Sequence, residues 1–275
     1  MEKLIQEIVN YQEPCYKEEV LSTGYPELDS LTGGLKRGDL FVIASRPSIG
    51  KTAFALNIVR NMALATKNPS CILFFSIEMT EEQITKRLLC LDAGVNEKEI
   101  QNLNQKDMTR ISDAASRFAN AKIFIDSCYG ISTDKIREKC LNLYQRHKID
   151  IIVIDYLQLI KFKSQTNIQQ QFSEIIQELK QLACELDLPV VVLVQLNREL
   201  SETTEIPHVG LFREEDAVVE FADVIVLLHR ERKEGINKRA FAIVAQAPNG
   251  KNGVVTMQYN SENQQFKIAD TCEKL

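Results

Sequence analysis

Cysteine and histidine are sparse and poorly arranged for cross-links or metal sites. The 275 residues include seven cysteines, an odd number with no C-x-x-C pair, and three histidines, none near a cysteine. This arrangement excludes a disulfide framework and a zinc site. We therefore expect reduced thiols and a cytoplasmic protein. The cysteines are Cys15, Cys71, Cys90, Cys128, Cys140, Cys184 and Cys272.

Long hydrophobic runs and an excess of one charge are also lacking. The longest apolar stretches, around 71–77 and 189–194, fall short of the ~18 residues that a membrane span needs. Five glutamates interrupt residues 1–20, which excludes a signal-peptide core there. The net charge of −5 argues against a generally basic nucleic-acid-binding surface but leaves room for a local basic channel. We expect no membrane partner.

What the chain does have is an ordinary globular composition, with 44% hydrophobic residues. From residue 39 onward, apolar β-branched runs alternate with amphipathic helical stretches. We predict strands over 39–45, 71–76, 122–126, 150–155 and 189–194, and helices over 50–66, 80–92, 106–119, 132–146 and 170–187. After residue 222 the pattern predicts antiparallel hairpins. The fold class is α/β, with a mostly parallel central sheet flanked by helices.

A short amphipathic helix is predicted ahead of this domain. Apolar side chains recur at helical spacing within residues 1–13, and Pro14 ends the pattern. The apolar stripe packs either on its own domain or on a neighbouring subunit. We divide the chain into a linker helix with its connecting segment, 1–21, and a main domain, 22–275.

The first predicted strand leads into SRPSIGKT and then into a helix. In such a unit, backbone N–H groups and the positive end of the helix dipole bind phosphates. Lys51 would reach the β- and γ-phosphates, and the Thr52 hydroxyl would ligate Mg²⁺. Ser45 stands where the pattern G-x-x-x-x-G-K-[ST] has its first glycine. The predicted phosphate-binding residues are Ser45, Arg46, Pro47, Ser48, Ile49, Gly50, Lys51 and Thr52.

Three further strands end in side chains that an ATPase uses. FFSIEM places Glu78 after the second strand, and IDIIVID ends the fourth strand with Asp155. The carboxyl ends of parallel strands meet at one edge of a sheet, so both carboxylates face the phosphate loop. Asp155 would hold Mg²⁺ through water, and Glu78 would orient and deprotonate the attacking water. Gln195, at the end of VVVLVQ, would sense the γ-phosphate.

These segments together resemble the motor domain of bacterial DnaB-type replicative helicases. The resemblance spans residues 22–268 and is carried by STGYPELDSLTGGLKRGDLFVIASRPSIGKTAFALN, FFSIEMTEEQ, IIVIDYLQLI and LPVVVLVQLNREL. It implies a RecA-like P-loop NTPase fold, ATP and Mg²⁺ bound between subunits of a hexameric ring, and single-stranded DNA in the channel. The implied catalytic residues are Lys51, Glu78 and Gln195, the implied metal ligands are Thr52 and Asp155, and Arg87 is an implied nucleotide contact.

The family's primase-interacting amino-terminal domain has no counterpart here. We therefore expect either a shortened chain or a natural protein without that part. The resemblance makes primase and a helicase loader candidate partners, and it places helix 1–13 where the family has a linker helix that docks on the adjacent subunit.

One departure concerns the family's Lys-x-Arg pair, which precedes Asn-Gly and reaches into the neighbouring ATP site. The sequence here is VAQAPNGKNG, so Gln246 and Pro248 stand at the cationic positions. An arginine finger is worth ~10³–10⁵ in rate. Three explanations stay open: another cation substitutes, hydrolysis is weak, or the residues were altered deliberately. The candidate substitutes are Lys238, Arg239 and Lys251.

A second departure lies in the loops that the resemblance assigns to DNA. KFKSQTNIQQQ, residues 161–171, has Phe162 as its one aromatic, and LFREED has Asp216 where the family has glycine. Weak stacking and few cations predict salt-sensitive, sequence-tolerant DNA binding. The implied DNA contacts are Lys161, Lys163, Arg213 and Glu214.

Three functions stay open at this point, with an ATP-driven helicase motor preferred. A recombinase-like or circadian-clock-like RecA relative shares the TG-x-x-x-LD opening but lacks the RPS and IDYLQLI segments. A non-catalytic, helicase-derived assembly or binding protein is kept open by the altered finger.

Overall fold

A computed structural model describes residues 20–162, 167–196, 207–212, 217–231 and 235–269. The predicted helix 1–13 lies outside the described residues, and the division between residues 21 and 22 stays a prediction. Leu21 pairs with Leu35 through two backbone hydrogen bonds of 3.0 and 2.8 Å.

One sheet organises the described residues. Its strands are β1 (Leu40–Ser45), β2 (Ile72–Ser76), β3 (Ile123–Ser127), β4 (Ile151–Asp155), β5 (Val190–Gln195), β6 (Val224–Arg230), β7 (Asn237–Gln246), β8 (Gly253–Asn260) and β9 (Phe266–Ile268). The helices are α1 (Pro26–Thr32), α2 (Lys51–Ala63), α3 (Glu81–Ala93), α4 (Gln105–Phe118), α5 (Thr133–His147), α6 (Ile168–Leu186) and α7 (Ala217–Phe221). Short 3₁₀ turns cover Glu97–Asn102, Leu157–Leu159 and Val209–Leu211.

The strand order is β3-β2-β4-β5-β1-β6-β7-β8-β9. Strands β1 to β6 pair in parallel, and β7, β8 and β9 extend the sheet antiparallel. This confirms the predicted α/β class with antiparallel carboxyl-terminal hairpins. The five predicted strands and five predicted helices are present, with ends shifted by up to three residues.

Two apolar layers enclose the sheet, which explains why its central strands are apolar on both faces. In β1, Phe41 and Ile43 pack with α2 and α3, whereas Leu40, Val42 and Ala44 face α5 and α6. All six residues of β1 are buried. The strand that leads into the phosphate loop is therefore fixed from both sides.

β9 was not predicted, because three residues are too short for a periodic pattern. Its Phe266 accepts a hydrogen bond from the Tyr25 hydroxyl at its carbonyl, 3.1 Å away, and donates its N–H to Asn57 Oδ1 at 3.0 Å. Its ring meets Phe54 edge to face at 5.2 Å. β9 thus holds α2, the helix that follows the phosphate loop.

Two findings concern cysteine and membrane insertion. Cys71, Cys90, Cys128, Cys140 and Cys184 are free thiols. Among the helices of the described ranges, none has the length and apolar character to cross a membrane.

A buried carboxylate ties three helices together. Asp92 of α3, whose side chain is 1% exposed, binds Arg60 of α2 through Oδ1 and Arg117 of α4 through Oδ2. The two guanidiniums are partly exposed, with side-chain exposures of 33% and 49%. Asp92 therefore fixes α2 relative to the helices that cover the same face.

We expect Asp92→Asn to lower the free energy of unfolding by about 3 kcal/mol, because a buried charge pair loses one partner. Chemical denaturation measures this loss. Glu185→Gln, which weakens the exposed Arg137–Glu185 pair, is the matched control and should cost far less than Asp92→Asn. Equal losses in the two variants would contradict the role of Asp92.

Candidate active site

β1 passes through residues 46–50 into α2, and the loop turns through two positive φ angles. Ser48 has φ 64° and Gly50 has φ 114°. A Cβ at Gly50 would lie 3.5 Å from the Phe266 ring in a backbone conformation that favours glycine. Gly50 also gives α2 no side-chain cap, so the N–H groups of its first turn are available to an anion.

Arg230, at the end of β6, holds the outer side of the loop. Its Nη2 donates to the Ser48 carbonyl at 2.7 Å, and its guanidinium lies 4.4 Å from the Tyr259 ring centroid. Sequence reasoning missed Arg230, because only the pairing of β6 with β1 brings it beside the loop.

Lys51 and Asp155 form the buried charged centre of the site. They are 9% and 2% exposed, and the Lys51 ammonium lies 3.9 Å from the Tyr156 ring centroid. Burial raises the pKa of the Asp155 carboxyl, an effect that Lys51 and a hydrogen bond with Thr52 partly offset. Burial likewise lowers the pKa of the Lys51 ammonium, against the pull of Asp155 and Glu78.

These donors fit a magnesium–nucleotide complex. Asp155 Oδ1 is buried and has no hydrogen-bond partner among the described residues. With the Thr52 hydroxyl, it offers the oxygen ligands that Mg²⁺ prefers. Both pKa shifts disfavour the charged forms, so a cation beside Asp155 and phosphates beside Lys51 would supply the missing counter-charges.

The end of β2 brings Glu78 to the same centre. Ser76 is in register with Asp155, and the N–H of Ile77 donates to the Asp155 carbonyl at 2.9 Å. Glu78 follows directly, is exposed, and acts electrostatically on both Lys51 and Asp155. An exposed carboxylate here can contact water at the outer end of a bound triphosphate.

Arg87 and Gln195 flank this centre. Arg87 of α3 is half-buried, acts electrostatically on Asp155, and has its Nε 3.4 Å from Glu97 Oε2. Gln195 ends β5 in register with Ser45, the last residue of β1 before the loop. The structure thus brings the predicted nucleotide-site residues together at one edge of the sheet; their individual roles stay predictions.

The predicted DNA contacts are described only in part. Lys161 is exposed, and its N–H donates to the Ile131 carbonyl at 2.8 Å. Phe162 packs edge to face on Phe172 at 5.3 Å, which leaves it poorly placed for base stacking. Tyr129, two residues before Ile131, is 90% exposed and was not singled out from the sequence. Lys163, Arg213 and Glu214 lie outside the described residues.

Gln246 and Pro248, which replace the family's cationic pair, lie at the opposite edge of the sheet from the phosphate loop. Gln246 pairs with Ile225 near the start of β6, and β6 runs parallel to β1. The Nε2 of Gln246 donates to the Ala222 carbonyl at 2.7 Å. Pro248 is exposed in the turn that follows. These two positions therefore lie at the far end of the strands from their own phosphate loop.

Two of the three candidate substitute cations lie far from that edge. Lys238 is eight residues before Gln246 on β7, about 27 Å away at ~3.4 Å per residue. The neighbouring residue, Arg239, has its Nη1 4.0 Å from Glu231 Oε1. Lys251 is exposed and directly follows the turn that contains Pro248. Of the three, Lys251 alone is near the finger positions.

Comparisons with known proteins agree with this geometry. Residues 20–268 match the model of the DnaB-like helicase C terminal domain. The replicative DNA helicase DnaC of Bacillus subtilis is 39% identical over 255 residues, which are 90% of this chain and 56% of that protein. The replicative DNA helicase DnaB of Geobacillus stearothermophilus is 38% identical with the same coverage. The chain therefore spans little more than half the length of these relatives.

Solved structures show the same likeness. One solved ATPase domain superposes with a TM-score of 0.88 at 28% identity, covering 98% of each chain. A DnaB-like replicative helicase, studied with its interactions with primase, gives 0.86 at 29% identity and covers 98% of this chain and 66% of that one. These matches confirm the predicted RecA-like fold. The chain belongs to the family of DnaB-like helicase carboxyl-terminal domains.

Proposed function

We propose that the chain is the motor of an ATP-driven replicative DNA helicase that acts in the cytoplasm. It binds ATP and Mg²⁺ between copies of itself and translocates along single-stranded DNA as a hexameric ring. The observation that carries the proposal is the convergence of Lys51, Thr52, Glu78 and Asp155 at the edge that holds the phosphate loop.

Each residue has a distinct task in this scheme. The N–H groups at the start of α2 and the Lys51 ammonium bind the phosphates, while Thr52 and Asp155 hold Mg²⁺. The chemistry that Mg²⁺ supplies when bound is withdrawal of charge from the phosphate oxygens. Glu78 orients the attacking water and accepts its proton, and the Gln195 amide contacts the γ-phosphate.

The opposite positions of the phosphate loop and the Gln246 turn support an oligomer. A closed ring places the turn of one copy against the loop of the next, so every site is completed in trans. In this chain the completing side chains are Gln246 and Pro248, which carry no charge. This observation favours the second candidate, a helicase-derived protein with weak or absent hydrolysis.

Single-stranded DNA is the proposed track. Lys161, with Lys163 and Arg213 from loops outside the described residues, would contact the phosphates without reading sequence. Exposed Tyr129 lies close enough in the fold to Lys161 to serve as a stacking surface. Primase and a helicase loader are proposed partners, consistent with the primase interactions of one structural relative.

The proposal is tested by ATP turnover with and without oligo-dT. We expect slow turnover that oligo-dT stimulates, and Lys51→Ala should reduce it to background. DNA affinity should fall about twentyfold between 50 and 200 mM salt, the loss expected for roughly three phosphate contacts to a single strand.

Two outcomes would contradict parts of this scheme. Lys51→Ala with wild-type turnover would rule out the assigned nucleotide site. Tight ATP binding without any DNA binding or DNA-stimulated turnover would favour the non-catalytic alternative over the motor.

A further inference from the structure

Gln158 makes two hydrogen bonds to the backbone of Gln195. Its Nε2 donates to the Gln195 carbonyl at 2.8 Å, and its Oε1 accepts from the Gln195 N–H at 3.1 Å. Both residues are half-buried. One side-chain amide thus satisfies both backbone groups of the residue that ends β5.

These bonds replace a missing part of the sheet. The β4–β5 register ends at Ile154 and Val192, so β5 extends three residues further, to Gln195, than its register with β4. On its other side, Ser45 is in register with Gln195 and accepts the N–H of Leu196 at 2.8 Å. The peptide of Gln195 is therefore held between the phosphate loop and Gln158.

Holding this peptide also directs the Gln195 side chain. In a strand, the backbone orientation decides the face to which a side chain points. If the two bonds to Gln158 are lost, β5 can rotate at its end and the amide moves away from the γ-phosphate position. A bound diphosphate has no γ-phosphate, so its affinity would not register this change.

Gln158 also lies between the metal side and the DNA side of the motor. It is three residues after Asp155 and three before Lys161, within the 3₁₀ turn Leu157–Leu159. Leu157 and Ile160 are buried, and the N–H of Ile160 donates to the Leu157 carbonyl at 3.0 Å, so the turn is a short hydrogen-bonded unit that leads directly into Lys161. A displacement of Lys161 would be passed through Gln158 to Gln195.

We propose that Gln158 is a positioning residue that sets Gln195 for γ-phosphate contact and couples that contact to DNA bound at Lys161. The inference rests on the proposed function, since it takes Gln195 as the γ-phosphate contact. Gln158 itself touches no substrate in this scheme and acts through the Gln195 backbone.

The test compares the affinities of the full chain for fluorescent ATPγS and ADP, each with Mg²⁺ and with or without oligo-dT. Gln158→Leu removes both bonds, whereas Gln158→Glu keeps the acceptor and removes the donor. We expect Gln158→Leu to lower the ATPγS-to-ADP affinity ratio about fivefold or more and to reduce the effect of oligo-dT on that ratio by a similar factor. ADP affinity should stay unchanged. The affinity ratio of Gln158→Glu should lie between those of the wild type and Gln158→Leu.

Two control variants separate the outcomes. Gln177→Leu, on the exposed face of α6, makes the same chemical change and should leave the ratio at the wild-type value. Gln195→Ala should itself lower the ratio. If Gln195→Ala lowers it and neither Gln158 variant does, the positioning role is overturned and the proposed function stands. If Gln195→Ala has no effect, the γ-phosphate role of Gln195 is wrong and the inference is overturned with it. Parallel loss of ADP and ATPγS affinity in both Gln158 variants would indicate a merely structural role and also overturn the inference.

Discussion

Joint replacement of Gln246 by lysine and Pro248 by arginine should raise the ATP turnover of the assembled protein by at least about 100-fold. A trans-acting arginine stabilises the charge of the transferring phosphoryl group and is worth ~10³–10⁵ in rate. Neither native side chain is cationic, and the Gln246 amide is bound to the Ala222 carbonyl of its own chain. Turnover measured at concentrations where the oligomer is complete gives the comparison.

The turn can accept the substitution. Pro248 occupies the second position of the four-residue turn from Ala247 to Gly250, closed by a 2.9 Å bond from the Gly250 N–H to the Ala247 carbonyl. Arginine can adopt the backbone angles of that position at a cost of about 1 kcal/mol in chain entropy. The double variant should therefore fold. A midpoint of thermal unfolding close to that of the wild type would verify this.

Lys251 decides how the result is interpreted. If native turnover is already fast and Lys251→Ala abolishes it, Lys251 supplies the missing charge. If native turnover is fast, insensitive to Lys251→Ala and unchanged in the double variant, the finger argument is wrong. Lys238→Ala is a suitable control, because that cation lies at the other end of β7.

Glu78→Gln should lower turnover by ~10²–10⁴-fold while leaving Mg²⁺·ATP affinity nearly unchanged. Glutamine keeps the size of the side chain but cannot accept the proton of the attacking water. Binding is retained because Lys51, Thr52 and the loop N–H groups hold the phosphates. Single-turnover hydrolysis combined with equilibrium nucleotide binding separates the two effects.

Glu82→Gln is the matched control for this variant. Glu82 is an exposed glutamate in the first turn of α3, four residues from Glu78. Its substitution should leave ATP turnover unchanged. Similar losses in both variants would reject Glu78 as the general base. A loss of affinity without a loss of rate would place Glu78 in nucleotide binding instead.

Much of the fold was predictable because its signals are continuous in the chain. Each central strand is an apolar run, and the phosphate loop joins β1 to α2 directly, so length and spacing were sufficient. The convergence of Glu78, Asp155 and Gln195 was also predictable, because the ends of parallel strands share an edge. α1 and β9 were missed because seven and three residues provide too little periodicity.

The residues that support the site could not be predicted in the same way. Arg230 reaches the Ser48 carbonyl only because β6 lies next to β1, and 182 residues separate the two in sequence. Gln158 reaches Gln195 across a gap where two strands part. Such contacts depend on strand order and on where pairing stops, which local composition does not encode.

The support that β9 gives to α2 has a consequence for the folding of the chain during its synthesis on the ribosome. Asn57 and Phe266 are 209 residues apart, so the phosphate loop is synthesised long before the strand that braces it. At about 5–20 residues per second, the delay is roughly 10–40 seconds. The helix that follows the phosphate loop therefore gains the contacts of Phe266 with Asn57 and Phe54 only after nearly the whole described part of the chain has been synthesised.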